Sequence, residues 1–232
     1  MLPVSSVLID FDGTATTTDV TEQLLRAFGD PTWPEYDDAV DRGDMGLREA
    51  ILAQNAMLDT DRDTLTAFAL EHGALDPTFE PFVRWLEAND VSVAIVSDGF
   101  AFYIEPMLGA AGLGHLTVIT NEQRWRDGRP DGLRFVSAHP VCVGCGTCKM
   151  QAVQRYRERG PVAFVGEGQT DRYGALYADV TFAKLDLVDL CVADGVPFVP
   201  WGDFDDVRRT LETVDHLPGP VAPVQCPGWM LP

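Results

Sequence analysis

Positive charge is scarce in this chain: 17 Lys and Arg stand against 36 Asp and Glu, a formal net charge of −19. Such a surface repels phosphate backbones and anionic headgroups, which argues against nucleic acid or a membrane as partner. Long apolar runs are missing too. Stretches free of charge are cut by Gly and Pro, so none supplies the ~20 apolar residues that a bilayer span needs. No side chain before Arg26 is positive, and the run Val7 to Ile9 is too short for a signal-peptide core, which predicts a soluble, cytoplasmic protein. Cysteine is sparse and odd in number: of five, three crowd into Cys142, Cys145 and Cys148, a poor layout for a disulfide framework. His72, His115, His139 and His216 form no pair with ligand spacing. What remains is 232 residues, 46% apolar and 23% charged, enough to bury a core in one α/β domain with an insertion.

Periodicity orders that chain. Val4 to Ile9 is a short apolar run ending in Asp10, as a buried central strand does when its carboxyl end opens on a site. From about Asp19, which precedes Glu22 by three residues as a helix cap would, to about Asp76, the signals are all helical: Leu47, Ile51 and Leu58 share a face, and Leu65 with Phe68 repeats the spacing. Phe79, Phe82, Val83 and Leu86 predict another helix, and Val91 to Val96 a strand ending at Ser97. Further on, the pattern predicts a helix over Phe100 to Leu108, a strand over Leu116 to Thr120, and a hairpin over Gln123 to Val136 around its Asp-Gly turns. Met150 to Arg159 and Leu185 to Val192 read as helices; Val162 to Val165, Val180 to Phe182 and Val196 to Val199 read as strands, the last pushed to an edge by Pro197. The fold class is therefore α/β: a Rossmann-like parallel sheet core with an inserted all-helical cap after the first strand. The expected division is a core of 1–15 and 78–215, a cap of 16–77, and an extended tail of 216–232. That tail holds five prolines and is a candidate for pairing in a homodimer.

In an open parallel sheet, ligands bind beyond the carboxyl ends of the strands. Four polar clusters fall there: DFDGT at Asp10 to Thr14, Ser97 with Asp98 and Gly99, Lys149, and GEGQTD at Gly166 to Asp171. Asp10 and Asp12, two apart, would point to one side of a continuing strand, and Gly13 lets the chain turn away. Paired carboxylates can divide labour, one ionised as nucleophile and the other protonated as acid. Taken singly, each element also has a plain reading: a turn for the Asp pair, a helix cap for Ser97, a solvated helix residue for Lys149.

Together, DFDGT after an apolar strand, a serine ending the second strand, one lysine and an acidic GExxxD resemble the haloacid dehalogenase superfamily, over nearly the whole chain. The resemblance implies that Asp10 is the nucleophile forming an aspartyl-phosphate and Asp12 the general acid and base. By the same resemblance Thr14 supports that loop, Ser97 with its neighbours Asp98 and Gly99 holds the phosphoryl group, and Lys149 neutralises charge. Asp10, Asp12 (through its carbonyl), Glu167 and Asp171 would hold Mg²⁺. Asp12 further implies a phosphatase, because a poor alkoxide leaving group needs a proton donor. Glu167 departs from the usual aspartate, which leaves open a weakened binding protein; a phosphotransferase or mutase, needing an acceptor other than water, is a third reading beside the hydrolase.

The helical insertion resembles the phosphoserine phosphatase branch, in which an acidic residue nine after the nucleophile, here Asp19, meets the substrate; Asp19 is equally a helix cap. The run from Cys142 to Lys149 is similar to methionine-salvage phosphatases acting on 2-hydroxy-3-keto-5-methylthiopentenyl-1-phosphate, and to phosphoethanolamine and phosphocholine phosphatases. A small-molecule phosphate ester is the expected partner. An arginine that grips the serine carboxylate in the phosphoserine enzymes falls near Gln54, which disfavours phosphoserine. Cys142, Cys145 and Cys148 could bind Zn²⁺ with His139 or Cys191, or simply pack the loop. Trp33, Tyr36 and Phe102 are candidates for the substrate entrance or for core, and Arg26, Arg42 and Arg48 for anion contact or for a solvated face.

Overall fold

The computed structural model describes residues 2–221. At its centre lies β1 (Ser6–Ile9), buried at every position. Its alternate side chains serve two cores. Val7 and Ile9 join one apolar cluster with Ile95, Phe79, Phe82 and Phe204, while Leu8 joins another with Val96, Val153, Phe164 and Leu187. That split is the period-two geometry of a strand covered on both faces by helices.

β2 (Ser92–Phe100) and β5 (Val162–Gly166) flank β1 in parallel, setting Val7 beside Val93 and Ala163. Adding β3 (Thr117–Arg126), β4 (Arg129–Arg134), β6 (Val180–Ala183) and β7 (Phe198–Pro200) gives a seven-stranded sheet of order β4-β3-β2-β1-β5-β6-β7. All its pairings are parallel except β3 with β4, a hairpin that turns at Asp127 and Gly128. The strand order reverses beside β1, so the crevice at the carboxyl ends of β1, β2 and β5 is where a ligand is expected.

Helices α1 (Val20–Phe28), α2 (Pro34–Asp41), α3 (Leu47–Ala56) and α4 (Arg62–His72) occupy the stretch between β1 and α5 (Phe79–Ala88), with one antiparallel bridge, Thr16 to Leu75. α6 (Ala101–Ala110), α7 (Lys149–Arg157), α8 (Arg172–Ala175) and α9 (Asp186–Asp194) connect the remaining strands.

Three expectations need correction. β2 does not stop at Ser97 but runs on to Phe100, because Phe100 still pairs with Asn121 on β3. β3 likewise continues to Arg126 as one arm of the hairpin. A helix absent from the sequence reading, α10 (Phe204–Thr213), follows the edge strand; Asp203 caps it by accepting from the Asp206 amide, and Phe204 packs 5.2 and 5.3 Å from Phe79 and Phe82. Of the Pro-rich tail, 222–232 lies outside the described residues; before it, the Gly219 amide donates to the Asp179 carbonyl at 2.9 Å. Among the described residues no helix is long and apolar enough to cross a membrane.

Candidate active site

The sequence places Asp10 and Asp12 on one side of a continuing strand, but the chain leaves β1 after Ile9 and coils. The Ala15 and Thr16 amides donate to the carbonyls of Asp10 and Phe11, at 3.2 and 3.0 Å, and Gly13 takes a φ of 70°. Thr16 ties this loop, its hydroxyl accepting from the Gly13 amide at 3.1 Å and lying 2.9 Å from the Phe11 carbonyl. Thr14, the expected support, is buried with its hydroxyl unpartnered among the described residues. The coil sends the two carboxylates to different partners.

Asp10 meets Lys149, the first residue of α7. The ammonium donates to Asp10 Oδ1 at 2.7 Å, to Asp171 Oδ1 at 2.6 Å and to Thr170 Oγ1 at 3.0 Å, and it is 2% exposed. Burial alone would lower the Lys149 pKa, but the charges of Asp10, Asp171 and Asp98 push it well above its ordinary value. Asp10 is pushed up to about 8, by burial first and then by Asp171, against the pull of Lys149. One ammonium therefore does not balance the acids around it. Asp171 spends its other oxygen on the amides of Glu167 and Gly168, at 2.8 and 3.0 Å.

Asp12 meets helices instead. Its Oδ1 accepts from the Val20 amide at the start of α1, at 3.0 Å, and its Oδ2 from the Tyr103 hydroxyl on α6, at 2.5 Å. Burial, and then the neighbouring Asp19, raise its pKa well above the usual carboxylate range. Asp19 caps α1 by accepting from the Glu22 amide at 2.7 Å, as one reading expects, and it also lines the cleft. Although Asp19 is exposed at the cleft, partial loss of hydration there pushes its carboxyl up to about 6.

Ser97 is buried on β2, and its hydroxyl accepts from the Gly99 amide at 2.9 Å. Asp98 accepts from the Thr147 amide at 2.7 Å, while its second oxygen has no partner among the described residues. At Gly99 a side chain is excluded: a Cβ there would lie 2.6 Å from Asp12 Oδ2 and closer still to the Tyr103 hydroxyl. Glu167, at the end of β5, rests its carboxyl against the loop after β1, where a Cβ on Gly13 would stand 3.2 Å from it. Burial first, then Asp171 and Asp19, push Glu167 up to about 7.

Seven of the ten expected site residues, namely Asp10, Asp12, Asp19, Ser97, Asp98, Gly99 and Glu167, line one cleft of about 210 Å³. Thr14, Lys149 and Asp171 are buried behind that lining. The opposite wall comes from the helices: Leu24, Leu25, Trp33, Leu47, Ile51 and Leu58, with Glu22, Asp37 and Gln54 among them. Among the described residues no Lys or Arg lines the cleft. Gln54 donates to Asp37 at 2.8 Å. Tyr36 and Phe102 lie outside the lining, and Arg26 and Arg42 pair with Glu22 and Asp44. Arg48 instead donates to the carbonyls of Cys145 and Cys142, at 2.9 and 3.0 Å, tying α3 to the segment before Lys149.

Among the described residues, no three His, Cys, Asp or Glu side chains form a ready metal cluster. His139, Cys142, Cys145 and Cys148 share a small cavity that Cys191 does not line, and the zinc expectation gains nothing from them. Mg²⁺ asks for less, since one or two carboxylates, a carbonyl, waters and substrate oxygens satisfy it. Asp10 and Glu167 beside the Gly13 loop, both with carboxyls raised by burial and then by neighbouring acids, are oxygen donors of the kind a hard cation takes. Asp171 has both oxygens engaged by Lys149 and two amides.

The model of the haloacid dehalogenase-like hydrolases matches residues 7–175, and the chain belongs to that family. Its fold is the α/β fold of the phosphoserine phosphatases: one solved as a phospho-aspartyl intermediate analogue superposes with a TM-score of 0.69 at 16% identity, over 91% of this chain and 99% of that one. The phosphoserine phosphatase of T. onnurineus gives 0.70 at 18% identity, over 91% and 96%. Among curated relatives, the 2-hydroxy-3-keto-5-methylthiopentenyl-1-phosphate phosphatase of Bacillus velezensis is 26% identical over 218 residues, 91% of each chain. The bifunctional enzyme MtnB/MtnX of Bacillus licheniformis is 29% identical over 212 residues; these are 89% of this chain, which spans about half (49%) of that enzyme's length.

Proposed function

We propose that this chain is a phosphoric monoester hydrolase acting on a small molecule, with Asp10 as nucleophile. The observation that carries the reading is the buried Lys149 ammonium held between Asp10 and Asp171 behind the acid-lined floor of the cleft. Asp10 attacks phosphorus, the bond to the ester oxygen breaks, and Asp12 gives its proton to the departing alkoxide. Asp12 then takes a proton from water as the water oxygen attacks phosphorus, which releases phosphate and restores both aspartates. Ser97 and the amides beside it hold phosphoryl oxygens, and Lys149 compensates the charge that gathers there. Mg²⁺ held by Asp10, Glu167 and the Asp12 carbonyl would supply further positive charge to those oxygens, with Asp171 orienting Lys149 and the Glu167 turn. Residues 1–15 and 78–215 act as the catalytic core and 16–77 as the cap that selects the leaving group.

The cap wall favours a neutral, apolar leaving group. With no Lys or Arg along it, a substrate carboxylate would be buried without a partner, which costs several kcal/mol and disfavours phosphoserine. A methylthio tail against Leu24, Leu25, Ile51 and Leu58 fits, in keeping with the methionine-salvage relatives. A second reading, amino-alcohol phosphates, is favoured by Asp19, Glu22, Asp37 and Trp33 along the same wall, where a cation would be welcome.

Phosphate release from a panel of esters, with Mg²⁺ and no added acceptor, tests the proposal. Turnover is expected on the methylthiopentenyl ester and not on phosphoserine, and Asp10→Asn should lower it roughly a thousandfold or more. Full activity in Asp10→Asn, or none in the unaltered protein, would overturn it.

A further inference from the structure

Tyr103 takes no part in the reaction as derived above, yet its hydroxyl donates to Asp12 Oδ2 at 2.5 Å and lies 2.9 Å from Thr21 Oγ1. The ring is fully buried, against Phe11, Phe100 and Phe102 at centroid distances of 6.1, 6.3 and 5.3 Å. Gly99 leaves the space through which the hydroxyl reaches Asp12. A phenol committed in this way is costly as mere filling, since phenylalanine would pack the same volume without a polar atom to satisfy.

Resting on the functional reading above, we propose that Tyr103 is a positioning residue for Asp12. A carboxyl group turns easily about its Cβ–Cγ bond. Here the Val20 amide holds one oxygen and Tyr103 the other, from two different helices. With one lone pair on each oxygen met by a donor, a proton on Asp12 is confined to the remaining lone pairs. The Thr21 hydroxyl completes the arrangement: it donates to the Tyr103 oxygen whenever the phenol proton points at Asp12, so the phenol stays satisfied. Thr21 also lines the cleft, so the chain Thr21–Tyr103–Asp12 runs from the helical wall to the proton donor itself. Phenylalanine at 103 would keep the packing and lose the restraint.

Tyr103→Phe, assayed beside the unaltered protein and Asp10→Asn, tests this. Steady-state kcat on an unactivated alkyl phosphate should fall roughly ten- to a hundredfold, part of the range for a lost acid-base contribution, while KM stays within about threefold. With p-nitrophenyl phosphate, whose leaving group needs no proton, the variant should release a rapid burst of nitrophenolate equal to the enzyme and then turn over slowly, because only the water-activating step still needs Asp12. Thr21→Val should shift kcat the same way by less, with melting temperatures of both variants near that of the unaltered protein. Unchanged kcat in Tyr103→Phe, or loss of burst and turnover together, would overturn the role. If Asp10→Asn keeps its activity, or the unaltered protein has none, the functional reading fails first and carries this inference with it.

Discussion

The two walls of the cleft are built on opposite principles. At the strand ends, charged groups outnumber apolar ones and three of the acids are held by named donors: Asp10 by Lys149, Asp171 by Lys149 and two amides, Asp12 by Val20 and Tyr103. On the helical side, leucines and Trp33 predominate, and the acids sit among them without a single Lys or Arg in the lining. Detailed fixing of the first wall suits phosphoryl transfer, which tolerates little misplacement; on the proposed reading the second needs only shape and the absence of a wrong charge.

Removing the cation from the first wall should do the most damage. Lys149→Met leaves Asp10 and Asp171 buried without their shared partner, and urea denaturation should show a loss of about 3 kcal/mol or more. A loss below about 1 kcal/mol would mean that the charges there are better hydrated than their burial implies.

On the second wall, Asp37→Asn separates the two substrate readings. Turnover of a neutral apolar ester should stay within about twofold, whereas kcat/KM for an amino-alcohol phosphate should drop about fivefold if its cation is met there. A drop on the neutral ester instead would mean that the Asp37 contact with Gln54 shapes the pocket.

The smallest effect concerns protons and metal. Asp10 and Glu167 are raised to about 8 and about 7 from ordinary values of 3.8 and 4.5, so the folded protein without metal holds protons that the unfolded chain gives up. Their contribution to stability is full below the unfolded values and fades as pH climbs through 7 to 8. A cation displacing those protons should therefore raise the melting temperature more at pH 8 than at pH 6, by about 2 to 4 °C for a chain of this size. Glu167→Gln should shrink that difference; an equal response at both pH values would remove the carboxyls from the metal site.

Much of this was legible in the sequence, and the failures share a cause. The strands announced themselves because a sheet covered on both faces needs Val-rich and Ile-rich runs, and the polar clusters because they interrupt those runs at their carboxyl ends. Tyr103 escaped notice because its partner Asp12 lies 91 positions away, and in a helix rich in Phe and Ile it reads as core. Thr170 and Thr16 were hidden similarly, one between two acids and the other beyond the loop it ties. Asp10 and Asp12 do line one cleft, but strand alternation extended past Ile9 missed the wide turn that takes them there. For α10, the spacing of Phe204, Val207 and Leu211 was a usable signal that the edge strand before it overshadowed.

The junction of Asp10, Lys149 and Asp171 also bears on the lineage of the chain. Its members come from three distant stretches, and losing any one strands the others in a dry interior. Removing one of the three in this chain disturbs the other two, whereas the leucine wall can change one residue at a time. Descendants of such an ancestor should diverge in what they accept long before they diverge in what they do to it.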